Sequence, residues 1–178
     1  MRWIFASLFG IIFVLPLLLV CFLGVFKDKI QRGKMLPGFG EVLLLVSPPK
    51  DLFEPLAMQE ISPNQQEYDF VIKHKYVGNH VIDISIGRLG SMDKLKNDFK
   101  VRCIVQKDGQ VLYDETLDKG WSYWGGSSDG LTFQRYRVPQ DLPIDTLLKV
   151  KVIIEGDLNS FISDYGPTKL IIRKGSDE

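Results

Sequence analysis

Histidine and cysteine are nearly missing from this sequence, with two of each in 178 residues. Cys21 lies inside an apolar run and Cys103 far downstream, so no disulfide framework is expected. There is no HxH, HExxH or CxxC spacing, so no zinc site can be read. A GxSxG elbow, a phosphate-binding glycine loop and a dinucleotide fingerprint are lacking too. No cofactor and no catalytic residue is therefore expected. Charge of one sign is also missing: 22 basic residues balance 22 acidic ones. That removes the counterion release that drives nucleic-acid binding. There is no internal repeat, and no long amphipathic helix is expected in the second half of the chain.

What is present begins with a long hydrophobic run. From Trp3 to Phe26 the chain carries no charge and reads WIFASLFGIIFVLPLLLVCFLGVF. A hydrocarbon core needs roughly 20 apolar residues in a helix, so this run predicts a single transmembrane anchor, a lipid-bilayer contact through residues 3–26. Pro16 is tolerated there, and Trp3 suits the interfacial belt. The competing readings are a cleaved signal peptide and lipid attachment at Cys21. The first wants a shorter apolar region followed by a small-x-small site. The second wants a small residue where Val20 stands. Lys27, Lys29, Arg32 and Lys34 follow the span, which by the positive-inside rule would keep the C-terminal flank in the cytoplasm. Long domains, however, translocate largely regardless of charge.

Residues 27–66 read as a juxtamembrane linker, with a possible first strand or packed tether at 41–47 (EVLLLVS). Pro48, Pro49, Pro55 and Pro63 make the rest irregular or edge-like. From residue 67 to 175 the periodicity turns to two. Tyr68, Phe70, Ile72, His74 and Tyr76 alternate with Asp69, Val71, Lys73 and Lys75, and Ile82, Ile84 and Ile86 with Val81, Asp83 and Ser85. Phe99, Val101, Cys103 and Val105 lead to a hairpin turn at Lys107-Asp108-Gly109 and a return strand over 110–117. Further strands are expected over 131–138, 148–154 and 169–173, and Ser91 could cap a helical turn to Asn97. The pattern predicts a mainly β domain, an antiparallel β-sandwich of immunoglobulin-like or related type, behind one N-terminal transmembrane helix.

His74 falls on the apolar face of its strand and reads as a packed, hydrogen-bonded side chain. His80 follows the Gly78-Asn79 turn, two strand ends away. Cys103 alternates with core residues and reads as an inert buried thiol. Asp114/Glu115 and Asp157/Asp164 read as solvated surface. The most unusual stretch is GWSYWGGSSDG, Gly120 to Gly130. Trp121, Tyr123 and Trp124 there offer large contact area at low entropic cost, so they are the candidate partner-binding residues. The alternative is that these rings fold back to cap an open end of the sandwich.

YDFVIKHKYVGNHVIDISIG, FKVRCIVQKDGQVLYDETL and LTFQRYRVPQDLPIDTLLKVKVIIEGD resemble segments of an uncharacterised family of small bacterial membrane-anchored envelope β-sandwich proteins. The likeness spans residues 67–173. It departs where the family commonly has Gly before the Lys/Val strand, since Asp145-Thr146 stands there. The resemblance implies an inner-membrane, single-pass protein with its C-terminal domain in the periplasm, and it carries no catalytic residues. The expectation is a non-enzymatic protein-binding module, in one form an immunity-type protein against a periplasmic toxin. The alternatives are a glycan- or lipid-binding envelope module, and an enzyme using loop acids such as Asp129 and Asp164.

Overall fold

The computed structural model describes residues 15–32, 34–36, 39–76, 78–86, 100–117, 122–124, 129–139, 142, 143 and 145–175. Three helices and nine strands are present among them: α1 (Leu15–Gln31), α2 (Phe39–Val46), β1 (Ala57–Glu60), β2 (Glu67–Lys73), β3 (Asn79–Ile86), β4 (Lys100–Lys107), β5 (Gln110–Leu117), β6 (Ser122–Trp124), β7 (Asp129–Arg137), β8 (Leu147–Glu155), α3 (Leu158–Tyr165) and β9 (Lys169–Lys174). The expected turn at Ser91 to Asn97 lies outside the described residues.

The strands form two antiparallel sheets, in the orders β1-β9-β3-β7-β6 and β2-β8-β4-β5. Pairing is nested: β1 with β9, β2 with β8, β3 with β7 and β4 with β5. One long hairpin is thus rolled into two layers, the jelly-roll arrangement. An immunoglobulin sandwich keeps its first two strands in one sheet. Here β1 and β2 lie in different sheets, which corrects the immunoglobulin-like expectation while keeping the sandwich.

Period-two sequences make this possible. Along β2 and β4 exposed or half-exposed residues alternate with buried ones, and β8 and β9 do the same. Tyr68, Phe70, Ile72, Val101, Cys103, Val150 and Val152 from one sheet meet Ile82, Ile84, Leu131, Phe133, Leu170 and Ile172 from the other in a single core. The expected hairpin forms, with Lys107 paired to Gln110. Its two loop residues, Asp108 (φ 49°) and Gly109 (φ 85°), both take positive φ, as a type I′ turn requires. Helix α3 follows β8 and feeds Leu158, Phe161 and Tyr165 into the same core. Its start is capped by Asp157, which accepts from the Ser160 N–H at 3.1 Å. The carboxylate read as solvated surface is therefore a helix cap.

One expectation for residues 41–66 is corrected, and another resolves to its edge alternative. EVLLLVS is not a strand: residues 39–46 form helix α2, with Leu43 and Leu44 buried next to each other. A strand would have pointed adjacent side chains to opposite faces, and a short apolar run cannot by itself distinguish the two states. The Pro-bearing stretch after it is not wholly irregular, since β1 pairs with β9 at the sheet edge, the position that neighbouring prolines tolerate.

The N-terminal helices dock on one end of the sandwich. Ile30 is fully buried, and Leu44, Leu52 and Tyr76 form a satellite core. The contact is stitched by charge. Asp51 accepts from the Tyr76 hydroxyl at 2.6 Å and Lys75 Nζ at 2.9 Å. Glu41 pairs with Arg137. Asp145 gathers Lys34 at 3.0 Å, Arg32 at 3.8 Å and Lys73 at 3.9 Å. Asp145 also holds φ at 75°, a conformation glycine adopts without strain and aspartate more readily than most residues. The position trades backbone ease for an anion that clasps the N-terminal segment.

Lys34, and then Lys73 and Arg32, hold the Asp145 carboxyl below its ordinary value of 3.8. The contact therefore contributes above that pH and is lost as pH falls through the lowered value. Asp145→Asn and Asp145→Gly are both expected to loosen the clasp, the second despite relieving the backbone. Faster tryptic cleavage within residues 27–50 at neutral pH, with an unchanged sandwich unfolding midpoint, is the expected reading.

Candidate functional site

The aromatic stretch proves to be a sheet edge. Tyr123 and Trp124 lie in β6, which pairs with β7 through Tyr123↔Leu131 and Trp124↔Gly130. Trp121 lies outside the described residues. β6 ends the five-stranded sheet and has one strand neighbour among the described residues. A three-residue edge strand presents backbone donors and acceptors that an incoming strand can pair with.

Register fixes which end of the molecule this is. β7 starts beside Ile86, where Asp129 pairs, and ends beside Asn79, where Arg137 pairs. Arg137 touches Glu41 of α2, so the C-terminal end of β7 faces the N-terminal helices. β6 pairs at the other end, against residues 130–132. A strand rises about 3.3 Å per residue, so roughly 20 Å of sheet separate the aromatic edge from the helices. Asp129 and Asp164, the loop acids considered for catalysis, are not on loops: Asp129 starts β7 and Asp164 sits in the last turn of α3.

The second feature is an interior cluster. The sequence places His74 and His80 two strand ends apart, but the passage from β2 to β3 changes sheets and brings the rings to 4.4 Å, edge to face. Tyr136 of β7 stacks on His80 at 5.6 Å, and its hydroxyl lies 3.0 Å from His74 Nε2. His80 Nδ1 lies 3.1 Å from the Gly78 carbonyl, so that nitrogen carries the proton and donates. His74 Nδ1 has no hydrogen-bond partner. His74, His80 and Tyr136 are all buried. Around them stand Lys174, buried and donating to the Gly175 carbonyl at 3.0 Å, and Tyr113, whose hydroxyl reaches Gln134 Oε1, Glu115 Oε2 and the Arg135 carbonyl within 3.1 Å.

Burial keeps the two histidines and the two tyrosines neutral. It lowers His74 from 6.5 to about 4. It pushes His80 well below 6.5, with the nearby His74 and Lys174 adding to the effect. The Tyr136 and Tyr113 hydroxyls are driven up, chiefly by desolvation. The Cys103 thiol is driven up by burial too, with Asp114 and Glu115 adding. A fully buried thiol held in its protonated form is a poor nucleophile. Neutral, packed histidines with hydrogen-bonded neighbours act as core, as expected for His74. Among the described residues, no three His, Cys, Asp or Glu side chains converge in a way that could hold a metal ion.

A third group was not legible in the sequence. Asp83, in β3, is fully buried. It accepts from Thr132 Oγ1 of β7 and from Arg173 Nε of β9, both at 2.6 Å. It thereby ties the three central strands of one sheet across their faces. Desolvation raises its carboxyl above 3.8, against the opposing pull of Arg173 and Thr132. Asp83 alternates with Ile82 and Ile84, so the pattern marks it as outward-facing and solvated. Nothing in the spacing reports that this outer face is also covered.

No protein-family model matches the sequence. No curated protein matches it either. Among solved structures, the chain is similar to a crystal structure from Sulfurospirillum deleyianum at 6% identity and TM-score 0.46, covering 67% of this chain and 96% of that one. It is also similar to the VP2 subviral particle of infectious bursal disease virus at 10% identity and TM-score 0.25, covering 67% of this chain and 34% of that one.

Two outcomes follow from the buried groups. Between pH 6.5 and about 4 the unfolded chain binds protons at His74 that the folded chain refuses. Stability is therefore complete above 6.5 and declines as pH falls toward 4, by up to about 1.4 kcal/mol per pH unit for each such histidine. Urea midpoints at about pH 7.5 and about pH 5 check this, and a flat profile would contradict it. Asp83→Ala removes the carboxylate that Arg173 and Thr132 bond. It should destabilise by about 2–3 kcal/mol, the discounted value for a pair whose arginine is partly solvated, and Asp83→Asn by less.

Proposed function

We propose that this chain is a membrane-anchored, non-enzymatic module that binds another protein through Trp121, Tyr123 and Trp124. The anchor is the apolar run of residues 3–26, whose described part from Leu15 onward is helical. No helix among the described residues is long and apolar enough to cross a membrane, and residues 1–14 lie outside them. The anchor therefore rests on the uncharged length of the sequence.

The observation that carries the binding reading is polarity. The helices that follow the apolar run dock at one end of the sandwich, and the aromatic edge strand pairs at the other. On a membrane this directs β6 away from the lipid, where a soluble partner can add a strand beside it and take Trp121, Tyr123 and Trp124 as anchors. The non-enzymatic reading is supported by the state of the usual nucleophiles and bases. Cys103, His74 and His80 are all buried and held uncharged. The family resemblance favours a periplasmic domain at the inner membrane. An immunity-type role, in which the module captures a periplasmic toxin, is the concrete form of this reading. Stacking of a glycan on the same aromatics is the alternative; quenching of tryptophan emission by muropeptides would favour it.

Topology is tested with a cysteine appended after Glu178 in a Cys21→Ala background, where Cys103 is buried and unreactive. Labelling of intact spheroplasts by a membrane-impermeant maleimide is expected, and labelling only after lysis removes the periplasmic reading. Trp121→Ala with Trp124→Ala should weaken capture of the partner from solubilised membranes by roughly 10-fold or more without moving the unfolding midpoint. Unchanged capture would sink the loop assignment.

A further inference from the structure

Helix α2 has two apolar faces, and only one of them is used. Leu43 and Leu44 are buried against the rest of the molecule. At 100° per residue, Phe39, Val42, Leu45 and Val46 fall on the opposite arc, and they are 41%, 49%, 83% and 75% exposed. Leu36, just before the helix, and Phe53, just after it, are also exposed. The polar exception is Glu41, whose carboxylate is taken by Arg137 of the sandwich. A helix apolar on both faces, with its one charge paired inward, has no face left for water.

The position of α2 along α1 identifies what covers the open face. Ser47, the residue after α2, accepts from Lys27 Nζ at 2.7 Å through its hydroxyl and from Gln31 Nε2 at 2.7 Å through its carbonyl. Leu45 and Val46 are therefore held beside the turn of α1 where the uncharged run ends at Phe26. Upstream of that turn, α1 exposes Leu17, Leu18, Val20 and Val25. The two apolar surfaces thus meet at one level. A rim of charge surrounds the junction: Lys27, Lys29, Arg32, Lys34 and Lys50 against Asp28 and Glu41, five minus two, a net of +3 over residues 27–50. An apolar arc with a basic rim is complementary to an anionic lipid surface.

We infer that α2 is an interfacial helix, lying in the bilayer surface with Phe39, Val42, Leu45 and Val46 among the acyl chains and the surrounding lysines at the headgroups. The inference rests on the membrane reading above and deepens it. The chain does not hang from its anchor on a free tether. α2 gives it a second lipid contact, and the Asp145 clasp passes that fixed orientation to the sandwich. The aromatic edge is thereby held at a set height and direction.

The test uses the full chain in vesicles of phosphatidylethanolamine and phosphatidylglycerol. A small environment-sensitive fluorophore is attached at one cysteine in the Cys21→Ala background, in three variants: Val25→Cys, Leu45→Cys and Asn159→Cys. Asn159 is an exposed residue of α3, at the opposite end of the sandwich. With brominated lipids, most of the emission at positions 25 and 45 should be lost, with position 45 about 5–10 Å deep, and none at 159. Quenching at 25 without quenching at 45 overturns the interfacial helix and leaves the anchor standing. No quenching at either position overturns both. Shielding of position 45 from aqueous iodide without quenching by lipid means that protein covers the face, a second copy or another chain, and also overturns the inference.

Discussion

The apolar layer between the two sheets is the interaction on which everything else hangs. Among the described strands, six of the eight connections between consecutive ones cross from one sheet to the other. The layer exists because six strands, β2, β3, β4, β7, β8 and β9, turn apolar residues inward at alternate positions, and burial of such side chains contributes about 1.5–3 kcal/mol each. Crossing connections also make contacts between residues distant in sequence the rule, as in β1 with β9. The fold is therefore decided late, by non-local pairing, rather than by its local turns.

The same rolling gives the molecule two unlike ends. At one end, the last residue of β7, Arg137, and the loops after β2 and β7, with Lys75, Tyr76 and Asp145, hold the N-terminal segment by hydrogen bonds and ion pairs. At the other, the β6–β7 edge and α3 close the sandwich. Each ion pair is partly solvated and individually weak. Their effect comes from number and from the satellite core of Leu44, Leu52 and Tyr76 beneath them. On the proposed reading, that joint converts a membrane attachment into a defined presentation of the aromatic edge.

The interior polar groups tie the strands to one another. Asp83 links three strands through one carboxylate, and the histidine–tyrosine cluster fills the core near the helix-bearing end with packed rings joined by the His74–Tyr136 hydrogen bond. Such groups cost desolvation energy, and they reject alternative registers that would leave them unpaired. Their shifted protonation equilibria follow from burial, not from a reacting partner.

By itself the sequence determined most of the strands, because a period of two is a local property: β2, β3, β4, β7, β8 and β9 lie where alternation put them, and β5 where the hairpin turn put it. The Asp108-Gly109 turn was equally legible, since positive φ at two successive residues demands that chemistry. An inert Cys103 and a packed His74 followed from their place in the alternation. Only the tertiary structure decided which sheet each strand joins, and so it alone made a jelly roll rather than an immunoglobulin order. It also decided that His74 and His80 meet, that EVLLLVS is a helix, that Asp83 is buried on a face its pattern marks as outward, and that Trp124 belongs to an edge strand. The reason is the same in each case. Periodicity reports which way a side chain points from its own backbone, whereas partners, coverage and the choice between helix and strand for a short apolar run depend on what packs against it.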